Sequence, residues 1–197
     1  RYSLNPDFTR QYDNWDGKDP HTVFTIGTTS KALVSIGIKD SRILWDGSKI
    51  AKIKVKHPGM TDAIIKQVPN IIENPVLVMQ SQQADSRIVM FGEVFDANNI
   101  PVLAVLELNP TLRGQYDMNI IKIASAYGKD TNPQRLINTS MILYVDPNKN
   151  RTDRWLKRTR LQLPFKIQHY GSIGSVTYPE DAVNASIRQN GGKDERP

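Results

Sequence analysis

Apolar and polar residues alternate over residues 21–26, a stretch rich in β-branched side chains, and this predicts a strand broken at Gly27. Thr28 or Thr29 then caps a short helix through Ile36, which Gly37 ends. Residues 43–45 form a short strand closed by Asp46-Gly47. Residues 50–57 fit two periods. As a strand, Ala51, Ile53 and Val55 alternate with Lys52, Lys54 and Lys56 and put the lysines on one face. Alternatively, Ser48 caps a helix over the same residues. Thr61 is a good N-cap for a helix that carries Ile64, Ile65 and Val68 and yields at Pro69. Pro75 opens a strand over 76–80. Residues 87–95 and 101–108 flank the turn Asp96-Ala97-Asn98-Asn99 and read as a hairpin. Residues 118–125 are a further strand, 131–139 a short helix, 142–145 a brief extended segment and 147–160 a helix. A strand-rich middle followed by a helix predicts an α+β fold on a largely antiparallel sheet.

Length and composition add boundaries to this picture. The chain of 197 residues suffices for one domain with one sizeable core. Residues 1–20 lack periodicity and read as a linker, 21–181 as the folded domain and 182–197 as a flexible tail. The absence of cysteine excludes disulfides, thiolate nucleophiles and Cys-based zinc sites. No apolar run approaches the length that spans a bilayer, so no membrane partner is expected. The start, Arg-Tyr-Ser-Leu-Asn-Pro, has neither a leader pattern nor an initiator Met, and the chain reads as a piece from the C-terminal region of a larger protein. The formal charge of +6 hints only weakly at a polyanionic partner, and a solvated basic surface accounts for it more simply.

The chemistry-bearing residues are few. There is no Gly-rich phosphate loop, no H-E-x-x-H and no G-x-S-x-G, and the three histidines are far apart, so no spacing points to a metal. His57 follows three lysines at alternate positions and precedes Pro58-Gly59; a turn exposes it, which suits a general base, the plainer reading being a surface histidine in a basic turn. At period two, Ile121, Ile123, Ser125 and Tyr127 share one face, so Ser125 and Tyr127, followed by Lys129, stand at the end of a buried strand. On a helix, Arg151, Arg154 and Arg158 share a side, with Trp155 as anchor; this is either a phosphate-binding face or a solvated one. Ser172 and Ser175 offer hydroxyls in a turn after His169-Tyr170.

The order Lys56-His57, Met60-Thr61, Val68-Pro69, Asn74-Pro75-Val76, then Ile120-x-x-Ile123-x-Ser125-x-Tyr127-Gly128 and Leu143-Tyr144, resembles a known family. Gln162-Leu163-Pro164 and Ser172 with Ser175 continue that order. The resemblance is to the phage-associated nuclease-like domains at the C-terminus of Mu-type head-morphogenesis and large polyvalent phage proteins, grouped with the barnase–EndoU–colicin–RelE fold. It runs from about residue 22 to about residue 181. It implies N-terminal helices packed on a mainly antiparallel sheet, and metal-independent RNA cleavage without a cofactor. His57, Ser125 and Tyr127 are the catalytic residues it implies. Lys56, Lys129, Arg154, Arg158, Ser172 and Ser175 are the candidate substrate-binding residues. The implied partners are RNA, tRNA included, and an acidic immunity protein. The implied place is the cytoplasm of a host or target bacterium, reached from a phage or prophage, with delivery or secretion. A non-catalytic nucleic-acid- or protein-binding module of a phage polyprotein remains an alternative, as does an ADP-ribosyltransferase-type toxin; Gln-x-Glu and Glu-x-Glu signatures are absent.

Overall fold

The computed structural model describes residues 4–108, 111–112, 115–116 and 120–176, the two short pairs as backbone only. In chain order the elements are α1 (Phe8–Asp13), β1 (Val23–Thr28), α2 (Lys31–Ser35), β2 (Arg42–Asp46), α3 (Gly47–Lys56), α4 (Asp62–Ile65), α5 (Val68–Glu73) and β3 (Leu77–Gln80). There follow β4 (Arg87–Phe95), β5 (Pro101–Glu107), β6 (Thr111–Leu112), β7 (Gln115–Tyr116), β8 (Ile120–Gly128), α6 (Pro133–Thr139), β9 (Ile142–Val145), α7 (Lys149–Thr159) and β10 (Gly171–Ser172).

Eight strands make one sheet in the order β1-β2-β8-β5-β4-β3-β9-β10. Its pairings are antiparallel except for β2 with β8, which run parallel. The fold is therefore α+β, as the sequence predicts, and residues 87–95 and 101–107 form the expected hairpin. Its tip closes with a bond from Asp96 N–H to the Ile100 carbonyl, and Asn99 takes a positive φ of 61°.

The sheet is buried on both faces because alternate side chains feed two cores. One face gathers Ile88, Met90, Ala104, Leu106, Ile121 and Ile123 against Ile50 and Ile53 of α3, Ile65 of α4 and Ile71 of α5. The other gathers Val89, Phe91 and Leu103 against Ile137 of α6 and Trp155 of α7. Trp155 is 1% exposed, and its indole N–H reaches the Gly92 carbonyl at 3.1 Å.

Several sequence expectations change. Residues 4–20 are not a linker: Phe8 and Tyr12 bury in α1, Phe8 meeting Phe24 edge to face and Tyr12 meeting it tilted, while Phe8 stacks on Trp45. Aromatic burial outweighs the polar composition of that stretch. Ser30, not Thr28 or Thr29, caps α2. Gly27 lies inside β1 at a register shift instead of ending it. Thr61 does cap a helix, but the helix breaks after Ile65, and Pro69 sits in the first turn of α5, where a missing N–H is tolerated. Residues 182–197 lie outside the described residues.

Candidate functional site

Residues 50–56 settle as helix because only that period buries Ile50 and Ile53 together, three apart on one side. Asp46 precedes the helix without capping it, since its carboxylate pairs with Lys122 at 3.0 Å. The strand alternation would have left every lysine on one face. The helix instead sends Lys54 to Asp62, at 2.6 Å, and leaves Lys49, Lys52 and Lys56 along another side at three- and four-residue spacing. Lys54 holds the Asp62 carboxyl below the usual carboxylate range, and a bond from the Tyr12 hydroxyl adds to it.

His57 ends α3. Its N–H bonds to the Ile53 carbonyl at 2.7 Å, and its own carbonyl accepts from Met60 N–H at 2.9 Å, with Met60 buried beneath. Pro58 prevents the helix from continuing. The turn is latched from the side by the β4–β5 tip. Ala97 N–H bonds to the Gly59 carbonyl at 3.0 Å. The Asp96 carboxylate lies so close that a Cβ on Gly59 would stand 3.1 Å from its Oδ2, and a Cβ on Gly128 would collide with the same atom. Two glycines thus admit one carboxylate, which joins the His57 turn, the hairpin tip and the end of β8.

β8 carries the facing wall. It pairs with β2 only from Ile120 to Lys122; β2 runs on with β1 to Asp46 and then becomes α3, and beyond Lys122 this edge of β8 has no strand partner among the described residues. On its other edge, pairing with β5 shifts register between Val105/Ser125 and Leu106/Ile123. Ala124 is the extra residue of this bulge. The bulge corrects the sequence reading. Ile121 and Ile123 belong to the core beneath α3, whereas Ser125, opposite Val105, turns to the α6–α7 side, and Tyr127, opposite Leu103, packs at the sheet edge against both cores. A strict period of two fails because one residue is inserted.

Between α3 and the free edge of β8 lies an open cleft of about 390 Å³. His57, Ser125, Tyr127, Lys56 and Lys129, all candidates from the sequence, line it together, with Lys49, Lys52 and Asp130. The His57 and Tyr127 rings stack at 4.7 Å with 10° between their planes. Burial pushes the Tyr127 phenol above its ordinary value, so the hydroxyl keeps its proton at neutral pH. Lys49, Lys52, Lys56 and Lys129 have no ion-pair partner among the described residues. One carboxylate among four such ammonium groups makes the cleft cationic and ready for an anion.

The remaining candidates lie elsewhere. Arg154 pairs with Glu93 at 2.9 Å, and Arg158 sits 3.4 Å over the Phe95 ring while donating to Asn99 Oδ1. Arg151 is tied to Asp146, Glu93 and the carbonyls of Asn74 and Pro75. These arginines pin α7 to the opposite side of the sheet from α3. Ser172 donates to the Ser35 carbonyl at 2.8 Å, and Ser175 lies beside Gly37; neither lines the cleft. The sequence reading left Lys49, Lys52 and Asp96 out of the candidate site. The lysines were visible as an i, i+3, i+7 series once a helix was chosen, whereas nothing local marked Asp96. Among the described residues no three His, Asp or Glu side chains cluster as a metal site would require, and no helix is long and apolar enough to cross a membrane.

Residues 49–152, from the start of the lysine series into α7, match the family model of the phage MuF C-terminal domain. No curated protein and no solved structure matches the chain.

Proposed function

This chain belongs to the phage MuF C-terminal domain family, and from that premise we propose that it cleaves RNA in the cleft between α3 and β8. The observation that carries the proposal is the stack of His57 on Tyr127 amid four lysines without ion-pair partners. The reaction needs a base for the ribose 2′-hydroxyl, positive charge at the phosphate and a donor fixed nearby. A ring nitrogen of His57 takes the 2′-hydroxyl proton. The 2′-oxygen bonds to phosphorus, the bond from phosphorus to the 5′-oxygen breaks, and His57 returns its proton to the leaving oxygen. Lys52, Lys56 and Lys129 offset the charge of the phosphorane, and the protonated Tyr127 and the Ser125 hydroxyl donate to its oxygens. The products are a 2′,3′-cyclic phosphate and a 5′-hydroxyl. RNA supplies the nucleophile, so no cofactor enters, and this reading places the domain with nucleases of the barnase–EndoU–colicin–RelE type. An acidic immunity protein would cover the same cationic cleft, and bacterial cytoplasm is where the substrate would be met.

Total RNA incubated with the protein in EDTA should be cut, leaving cyclic phosphate ends, and His57→Ala should lose roughly a hundredfold or more in rate while its circular dichroism stays unchanged. A folded His57→Ala protein of full activity refutes the assignment. Salt-dependent binding of RNA without cleavage would make the domain a binding module, and transfer of label from NAD would make it a transferase.

A further inference from the structure

The cleft continues round the free edge of β8. Ser125, Tyr127 and Lys129 also line a second cavity of about 200 Å³, on the α6 side of the sheet. Its floor is a cross-strand row: Val89 stands opposite Val105, and Val105 opposite Ser125, while Leu103 stands opposite Tyr127. Leu136 of α6 closes one side, and the loop after β3, with Gln82 and Gln83, forms the rim. The Gln82 carboxamide is held by a bond to Thr139 Oγ1 at 2.7 Å. The Gln83 carboxamide has no partner among the described residues; only its backbone N–H is engaged, by Ser81 Oγ. Arg87 is anchored to Glu107 through Nε at 2.8 Å.

Aliphatic walls, two carboxamides and a guanidinium are a different chemistry from the lysines of the first cavity. The volume is below that of drug-sized ligand sites, which suits one planar heterocycle. A carboxamide presents one donor and one acceptor side by side, the complement of a nucleobase edge. The two cavities meet at Ser125, Tyr127 and Lys129, so a chain threading past that edge has its phosphate on one side and a base on the other. Resting on the RNA reading above, we infer that this second cavity takes the nucleobase next to the reacting phosphate, with Gln83 reading its hydrogen-bonding edge.

The test uses four short 2′-O-methyl homo-oligonucleotides, of A, C, G and U, which lack the nucleophile and so report binding alone. Fluorescence anisotropy should show one of them bound about tenfold tighter than the weakest. Gln83→Ala, and separately Leu136→Trp, which fills the cavity, should bring all four within about threefold of one another, whereas Lys52→Gln should weaken all four alike. Equal binding of the four by the unchanged protein overturns the inference, as does a preference that both cavity variants retain. If the preference appears and disappears as stated while unmodified RNA stays uncut, the cleavage reading fails and the base site stands. If unmodified RNA is cut with no base preference, the reverse holds.

Discussion

Lys52 is the position where binding and stability should move in opposite directions. It lies in α3 three residues after Lys49 and four before Lys56, and none of the three has an ion-pair partner among the described residues. Like charges at these spacings destabilise a helix by about 0.2–0.5 kcal/mol per pair. Lys52→Gln removes two such pairs and keeps helix propensity nearly level. The variant should therefore be more stable by about 0.4–1 kcal/mol, which in a domain of this size raises Tm by roughly 1–4 °C. The gain should shrink as salt screens the repulsion, since the screening length falls to about 8 Å at 0.15 M. At the same time, if these lysines meet phosphates, the dependence of RNA affinity on salt should flatten by about 0.7 in logarithmic slope. Thermal unfolding by circular dichroism and anisotropy titrations across a salt series measure the two effects on one preparation. A lower Tm would mean that Lys52 holds the fold through a contact, and an unchanged slope would mean that α3 faces solvent and nothing more. Either result refutes the reasoning.

Other positions make sharper or simpler expectations. Ser125→Ala should cost about 1.5–3 kcal/mol of transition-state stabilisation, less than His57→Ala, because it removes one hydrogen bond to a charged group; single-turnover cleavage rates compare them. Gly128→Ala forces the Asp96 carboxylate out of its place between Gly59 and Gly128, loosening the His57 turn. It should lower stability by about 1–3 kcal/mol in urea melts and reduce cleavage, and a variant of full stability would show that the latch is dispensable. Arg154→Glu should leave the salt slope of RNA binding unchanged, since Arg154 pairs with Glu93 on the far side of the sheet, and its loss should cost at most about 1 kcal/mol. Burial pushes Glu93 up, but bonds from Arg154 and Arg151 outweigh it and hold the carboxyl below its ordinary value of 4.5. The stability it contributes is thus present above that value and lost as pH falls through the depressed one, so Glu93→Gln should make the acid limb of a stability–pH profile shallower.

Much of the sheet was legible in the residues because strand periodicity and turn chemistry are local. The hairpin around Asp96–Asn99 follows from two alternating runs and four turn residues, and the N-cap at Thr61 from one hydroxyl before an apolar pair. His57, Ser125 and Tyr127 could be named as chemically able groups for the same reason. Their meeting could not be read. His57 and Tyr127 are seventy residues apart, and they stack only because β2 leaves β8 after three paired residues and soon turns into α3 beside the free edge of β8. The lysine run was ambiguous until Ile50 and Ile53 had a core to enter, since burial, not propensity, chose the helix over the strand. The bulge at Ala124 escaped for a related reason. A register shift is a property of two paired strands, and it took Ser125 and Tyr127 out of the alternation that Ile121 and Ile123 follow, leaving Tyr127 in contact with both cores. The arginines of α7 have the spacing of a phosphate-binding face, yet Glu93, Phe95 and Asn99 on the β4–β5 hairpin engage all three of Arg151, Arg154 and Arg158. Charge spacing along a helix is written in the chain, but which charges remain without a partner is decided by what the other strands bring within reach.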